Sequence, residues 1–267
     1  MTSGKKNKAM RNARSSVAQQ RSVPWLTIAG VGVVVLVAAL IFGFVYMEHR
    51  ENTASESAQA EADAAAAPFK PSPQNPDPSK KIPGVETADY PGMQHVTAQQ
   101  RVAYDKAPPF GGPHDNVWAD CTGVVYPQAV RTENMVHSLE HGAVWIAYDP
   151  EKVGADGVQQ LARRVQNRPY TMLSPYPGLD SPISLQSWGH QLKLDAPDDP
   201  RIDQFITALR QNPNGVYPEV GGSCQAIPGG FDTQNPPPFD PAAPPPDAVP
   251  MSGAGAQSGA GDMGGGR

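Results

Sequence analysis

His137 and His141 stand four residues apart in the segment Thr132 to Gly142 (TENMVHSLEHG), and Glu140 directly precedes the second of them. On a helix, residues four apart share a face, so both imidazoles can reach one ion. Glu140, three residues after His137, lies near enough to that face to ligate, to orient a ligand or to act as a base. His95 and His114 bring the count to four histidines within residues 95–141, of only six in the chain. The candidate metal set is therefore His137, His141, His114, His95 and Glu140, with copper or zinc as the ion. Met93, Met135 and Met172 would add thioether donors, which favour Cu(I) over zinc.

Other chemistry finds less support in the same residues. The acid precedes the second histidine instead of following the first, so the HExxH order of zinc proteases is not met. Ser138 has no nucleophile-elbow motif around it, and no catalytic residue is assigned. A metal-dependent hydrolase with Glu140 as base needs an open coordination position and a cleft. The sequence displays neither. A structural role competes throughout: His141 gains from the dipole at a helix C-terminus, and Met135 and Met172 suit core filling. Trp118, Trp145 and Trp188 read as core or rim aromatics, or as the wall of a pocket beside the histidines.

Cys121 and Cys224 are the only cysteines. Without CxxC spacing, a redox or metal-ligating pair is the weaker reading, and one structural disulfide is expected, in keeping with an oxidising compartment. It would tie the segment before the histidine helix to the segment after the last helix.

These residues need a frame to hold them. The segment around His114 (PPFGGPH, residues 108–114) combines prolines that restrict the backbone with glycines that permit a turn or close approach. Residues 143–148 (AVWIAY), between Gly142 and Asp149-Pro150, read as a buried strand. Val158, Leu161, Ala162 and Val165 recur at helical spacing over 156–167, and Pro169 closes that helix. A short strand follows at 170–174, and strands at 183–188 and 191–194 flank Gly189-His190 as a hairpin link. The last helix begins at Asp198-Asp199-Pro200 and carries Ile202, Phe205, Ile206 and Leu209. The order predicts an α+β domain, a small, mainly antiparallel sheet with helices packed on one face.

Before this domain lies a 25-residue stretch without charge, Val23 to Met47, preceded by Lys5, Lys6, Lys8, Arg11, Arg14 and Arg21 and no acid. That is the length of a transmembrane helix, and the cations predict a cytoplasmic N-terminus with everything after Arg50 on the other side. The run is longer than a signal-peptide core and is expected to remain as an anchor. After residue 22 the chain carries fifteen cations against twenty-six acids, a balance of −11. Such a charge disfavours nucleic acid and anionic lipid surfaces as partners. The organisation expected is a basic segment 1–22, the membrane helix 23–47, an Ala/Pro-rich tether 48–81, an extracytoplasmic domain 82–231 and a disordered Pro/Gly/Ala-rich tail 232–267.

The pieces PPFGGPH at 108–114 with Trp118 and Cys121, VHSLEHGAVWIAYDP at 136–150 and SPYPGLDSPISLQSWGHQLKLD at 174–195 resemble an uncharacterised bacterial family of membrane-anchored proteins, domain of unknown function 3105. The resemblance covers essentially all of the folded part. It implies an N-terminal anchor, a linker and one extracytoplasmic domain, and it brings no established activity, substrate or cofactor.

Two functions of different classes follow. One is an extracytoplasmic metal-binding module built on His137 and His141 and completed by His95 or His114. The other is a non-enzymatic envelope protein that recruits a protein partner, with the GGPH and SPYPGLDSP loops as a recognition surface and the histidines fastening those loops internally.

Overall fold

The computed structural model describes residues 24–92 and 94–257. The basic segment expected at 1–22, the candidate donor Met93 and the last ten residues of the tail lie outside the described residues.

The chain divides after Thr53 into two compact units. Helix α1 (Trp25–Ala66) begins in the first. Within it, residues Ile28–Arg50 are long and apolar enough to cross a membrane, with side chains such as Leu36, Leu40 and Phe44 left exposed along the helix.

The larger unit contains strands β1 (Glu86–Thr87), β2 (His95–Val96), β3 (Val102–Ala103), β4 (His114–Asp115) and β5 (Thr122–Val125), then helix α2 (Thr132–Glu140) and strand β6 (Val144–Tyr148). Helix α3 (Ala155–Val165), strands β7 (Thr171–Pro175), β8 (Ile183–Ser187) and β9 (His190–Leu194), helix α4 (Arg201–Leu209) and strand β10 (Val249–Pro250) complete it. Six strands form one sheet in the order β1-β9-β8-β6-β7-β5. The short pairs β2/β4 and β3/β10 stand apart from it, and both are parallel.

The α+β class is as the sequence implies, with a sheet less antiparallel than expected. Strands β6, β8, β9 and β1 pair antiparallel, but β7 runs parallel to both β6 and β5. The reason lies in the connection. Helix α3 carries the chain back along the sheet between β6 and β7, so the second strand starts at the same end as the first. The hairpin link is Trp188-Gly189, one residue earlier than expected, with Gly189 at φ +69°.

Helices also cover both faces instead of one. On β6, Val144, Ile146 and Tyr148 join a cluster with Leu161 and Val165 of α3 and Ile202, Phe205 and Leu209 of α4. The alternate residues Trp145 and Ala147 pack with Met135, Val136 and Leu139 of α2 and with Met172 of β7. A strand buried on both faces needs the continuous apolar run that β6 has. Met135 and Met172 are thus core side chains.

Parts of the stretches expected as tether and tail pack on the domain. The alanine-rich 54–66 segment continues as helix, as its propensity favours. Gln59 donates to Asp203 at 3.1 Å and Arg168 to Asp63 at 2.7 Å. Phe69 packs against the cluster under α4, and His190 Nε2 lies 3.1 Å from Asp77 Oδ2. In the tail, Pro237 O accepts from Arg131 N at 2.7 Å, the Phe239 ring meets Tyr176 at 4.8 Å between centroids, and Val249 is buried with Val96 and Val102. Proline-rich chain has little conformational freedom left to lose, so two apolar anchors suffice to dock it.

Candidate metal centre

Helix α2 carries two of the five candidate donors, His137 and Glu140, and His141 is its C-cap. Its spacing sets His137 and His141 one turn apart, and Gly142 ends the helix at φ +88°, where a Cβ would strike the Tyr217 ring. Strands β2 and β4 supply the other two: His95 and His114 are direct register partners of the parallel ladder. The four imidazoles are neighbours, with ring centroids 5.0 Å apart for the stacked pair His95/His137, 4.7 Å for the tilted pair His114/His137 and 4.7 Å for the edge-on pair His137/His141. His95, His114, His137 and Glu140 bring donor atoms within 4.8 Å of one another, and His141 joins His137 in a second group with Glu219.

The geometry around each ring is specific. His137 Nδ1 lies 2.5 Å from Asp115 O, His141 Nδ1 2.7 Å from Ser223 O and His114 Nδ1 2.8 Å from Gly112 O. A carbonyl oxygen only accepts, so these partners assign the proton to Nδ1 in all three rings. In the neutral ring Nε2 is then a bare lone pair. His137 Nε2 and His141 Nε2 face each other at 3.1 Å, and Glu219 Oε2 lies 3.0 Å from His141 Nε2. On the other side His114 Nε2 sits 2.8 Å and His95 Nε2 4.0 Å from Glu140 Oε2.

Burial governs the protonation of the pair. It pushes the His137 pKa well below 6.5, helped by its neighbours His114 and His141. Burial also lowers that of His141, against the opposing pull of the Ser223 carbonyl and the Glu219 carboxylate. The two rings accordingly stay neutral in a range where exposed histidines begin to charge.

Supporting groups fix these positions. Asp115, whose carbonyl holds His137, has its carboxylate engaged by Arg131 and by the Val117 amide. The Trp118 ring stands over His137 and His141 at 5.4 and 4.9 Å, and its Nε1 donates to Gln225 O at 3.0 Å. Cys121 and Cys224 are bonded, closing the loop that carries Glu219 and Ser223 against the start of β5. Trp188 meets His114 edge-on at 5.7 Å. Behind it a cavity of about 700 Å3, lined by Asp77, Tyr90, Gly92, Trp188, His190 and Tyr217 among others, reaches the wall beside Glu140, where a Cβ on Gly92 would lie 2.5 Å from Oε1.

Glu219 was not legible as a donor. It lies in a loop 78 residues after His141, and an isolated acid in a Tyr-Pro-Glu-Val-Gly-Gly segment has no spacing that points to it. Its side chain is 30 % exposed, whereas His137, His141, His114 and Glu140 are buried, so the centre meets solvent on the Glu219 side. The GGPH loop, by contrast, is buried from residue 108 to 115 and is unavailable as a recognition surface.

Fold and site together define an α+β domain with a buried cluster of imidazoles and carboxylates beneath a disulfide-closed loop. Residues 95–226 match the family described as "Protein of unknown function (DUF3105)", and the chain belongs to that family. The matched stretch contains every residue of the cluster. No curated protein and no solved structure matches the chain.

Proposed function

We propose that this protein is a metal-binding module held at a membrane by the helix at Ile28–Arg50, with the domain on the extracytoplasmic side. The ion is bound by His137 and His141 with Glu219 as the carboxylate donor. One observation carries the reading: two Nε2 atoms 3.1 Å apart, each in a ring whose Nδ1 proton is committed to a main-chain carbonyl. Two lone pairs at that distance repel unless a cation lies between them. Burial opposes protonation of both rings, which supports a metal ion as that cation. Donors around a tetrahedral ion with bonds of about 2.0 Å stand about 3.3 Å apart, close to the spacing found here.

The donor chemistry narrows the ion. Both cysteines are in the disulfide, and Met135 and Met172 lie in the apolar core, so among the described residues the set is imidazole and carboxylate. That combination suits Zn2+ or Cu2+ and disfavours Cu(I). Histidine rings anchored through Nδ1 to carbonyls are the outer-layer arrangement that metal ligation needs.

The test uses the full chain in detergent, stripped with a chelator and titrated with Zn2+ and Cu2+ beside the His137→Ala/His141→Ala variant. Tight binding that disappears in the variant is the result expected. Equal affinity in the two proteins, or no binding by the native chain, would overturn the reading.

A further inference from the structure

We infer that a second metal position adjoins the first, formed by His95, His114 and Glu140. The inference rests on the metal-binding reading of His137 and His141, and concerns what the remaining donors of the cluster do.

The donor atoms fall into two sets, each with all members within 4.8 Å of one another: His95, His114, His137 and Glu140, and His137, His141 and Glu219. An octahedral ion with bonds of about 2.1 Å keeps even its opposite ligands only about 4.2 Å apart. Six donors around one ion would therefore form one set, yet these form two that share His137 alone. His137 has a single bare nitrogen, because its Nδ1 faces the Asp115 carbonyl, and that nitrogen points at His141. It completes only one coordination sphere.

What remains is a second group of the same composition, two imidazoles and one carboxylate. His95 and His114 emerge side by side from the β2/β4 ladder, and Glu140 comes from the last turn of α2. The side chains of His114 and Glu140 are fully buried. His114 Nδ1 faces Gly112 O, which turns its Nε2 toward Glu140 Oε2 at 2.8 Å. Each position then has three protein donors, a number that leaves coordination sites for water or an exogenous anion on divalent zinc, cobalt or manganese. The pair of positions is a two-cation centre opening toward Glu219.

The experiment counts ions. The full chain, stripped and reloaded with excess Co2+ and then desalted, is measured by elemental analysis and by electron paramagnetic resonance, beside His114→Ala, the near-isosteric Glu140→Gln, and His141→Ala. Two ions per chain with a spin-coupled cobalt signal are expected, falling to one uncoupled ion in each variant. One ion in the native chain overturns the second position while leaving the first standing. No ion overturns the earlier reading as well, so the two failures are distinct. The native count decides by itself, and a variant that fails to fold does not leave the question open.

Discussion

Gly222 lies face-on to the imidazole of His141, close enough that a Cβ at that position would sit 2.6 Å from Cδ2 and 2.7 Å from Cγ of the ring. The ring has no retreat, since Ser223 O holds its Nδ1 and Trp118 packs against it. Gly222→Ala should tilt His141 and lower metal affinity about ten- to a hundredfold, as disturbed outer support does elsewhere. Competition titration against a chromophoric chelator measures this. Unchanged affinity would show that the loop does not set the ring.

The metal-free domain should weaken in mild acid. His137 and His141 have folded pKa values below 6.5, so the unfolded chain binds protons first as pH falls, and stability must drop with it. Their contribution is whole above about pH 6.5 and declines below that value toward the folded pKa. Urea midpoints of the stripped protein at pH 7.5 and 5.5 test the sign. A midpoint that holds or rises on acidification contradicts neutral buried imidazoles.

Breaking the disulfide should act on both stability and binding. In the chain-entropy account, releasing a loop of 103 residues costs about 4 to 5 kcal/mol. Cys121→Ser/Cys224→Ser also frees the segment bearing Glu219 and the Ser223 carbonyl. Chemical denaturation should therefore show the loss, and the metal affinity of the folded fraction should fall. A variant with native affinity would mean that the loop is held in place by its other contacts, including the Tyr170 hydroxyl on Gly222 O.

Asp77 fastens the chain before the domain to the β8/β9 hairpin. Burial raises its pKa, but hydrogen bonds from His190 and Ser79 outweigh that and hold the carboxyl well below 3.8. Its contribution is present above about pH 3.8 and is lost as pH falls further. Asp77→Asn should destabilise the domain by about 2 kcal/mol at pH 7, the scale of a charge-assisted hydrogen bond. Thermal melts of the two proteins at pH 7 and 3 check this, with the difference shrinking at the lower pH.

Local patterns carried most of what the sequence made legible. Helix α2 is fixed by its glycine stop, and His137 and His141 follow from the spacing of 3.6 residues per turn. Strand β6 is marked by an unbroken apolar run, and the disulfide by elimination. Long-range relations were harder to read. The parallel pairing of β6 with β7 depends on where α3 deposits the chain, and hydropathy does not encode direction. Glu219 reaches His141 from a distant loop, brought back by the Cys121–Cys224 bond and by its own amide on Glu140 O. The tether and tail were expected to be loose because each is poor in apolar residues. A few anchors, Phe69, Phe239 and Val249, hold parts of each against the domain.

The two-residue ladder between β2 and β4 makes the centre sensitive to chain length in a way that its chemistry alone would not suggest. His95 opposes His114 and Val96 opposes Asp115, and successive residues of a strand point to opposite sides. Deleting one residue from the connection over 97–113 and letting the strands pair again would set Gln94 where His95 belongs, or Asp115 where His114 belongs. The fold could absorb such an edit at its surface, but one imidazole would be turned away from its twin. Variation in that loop should therefore be accepted as substitution far more readily than as insertion or deletion.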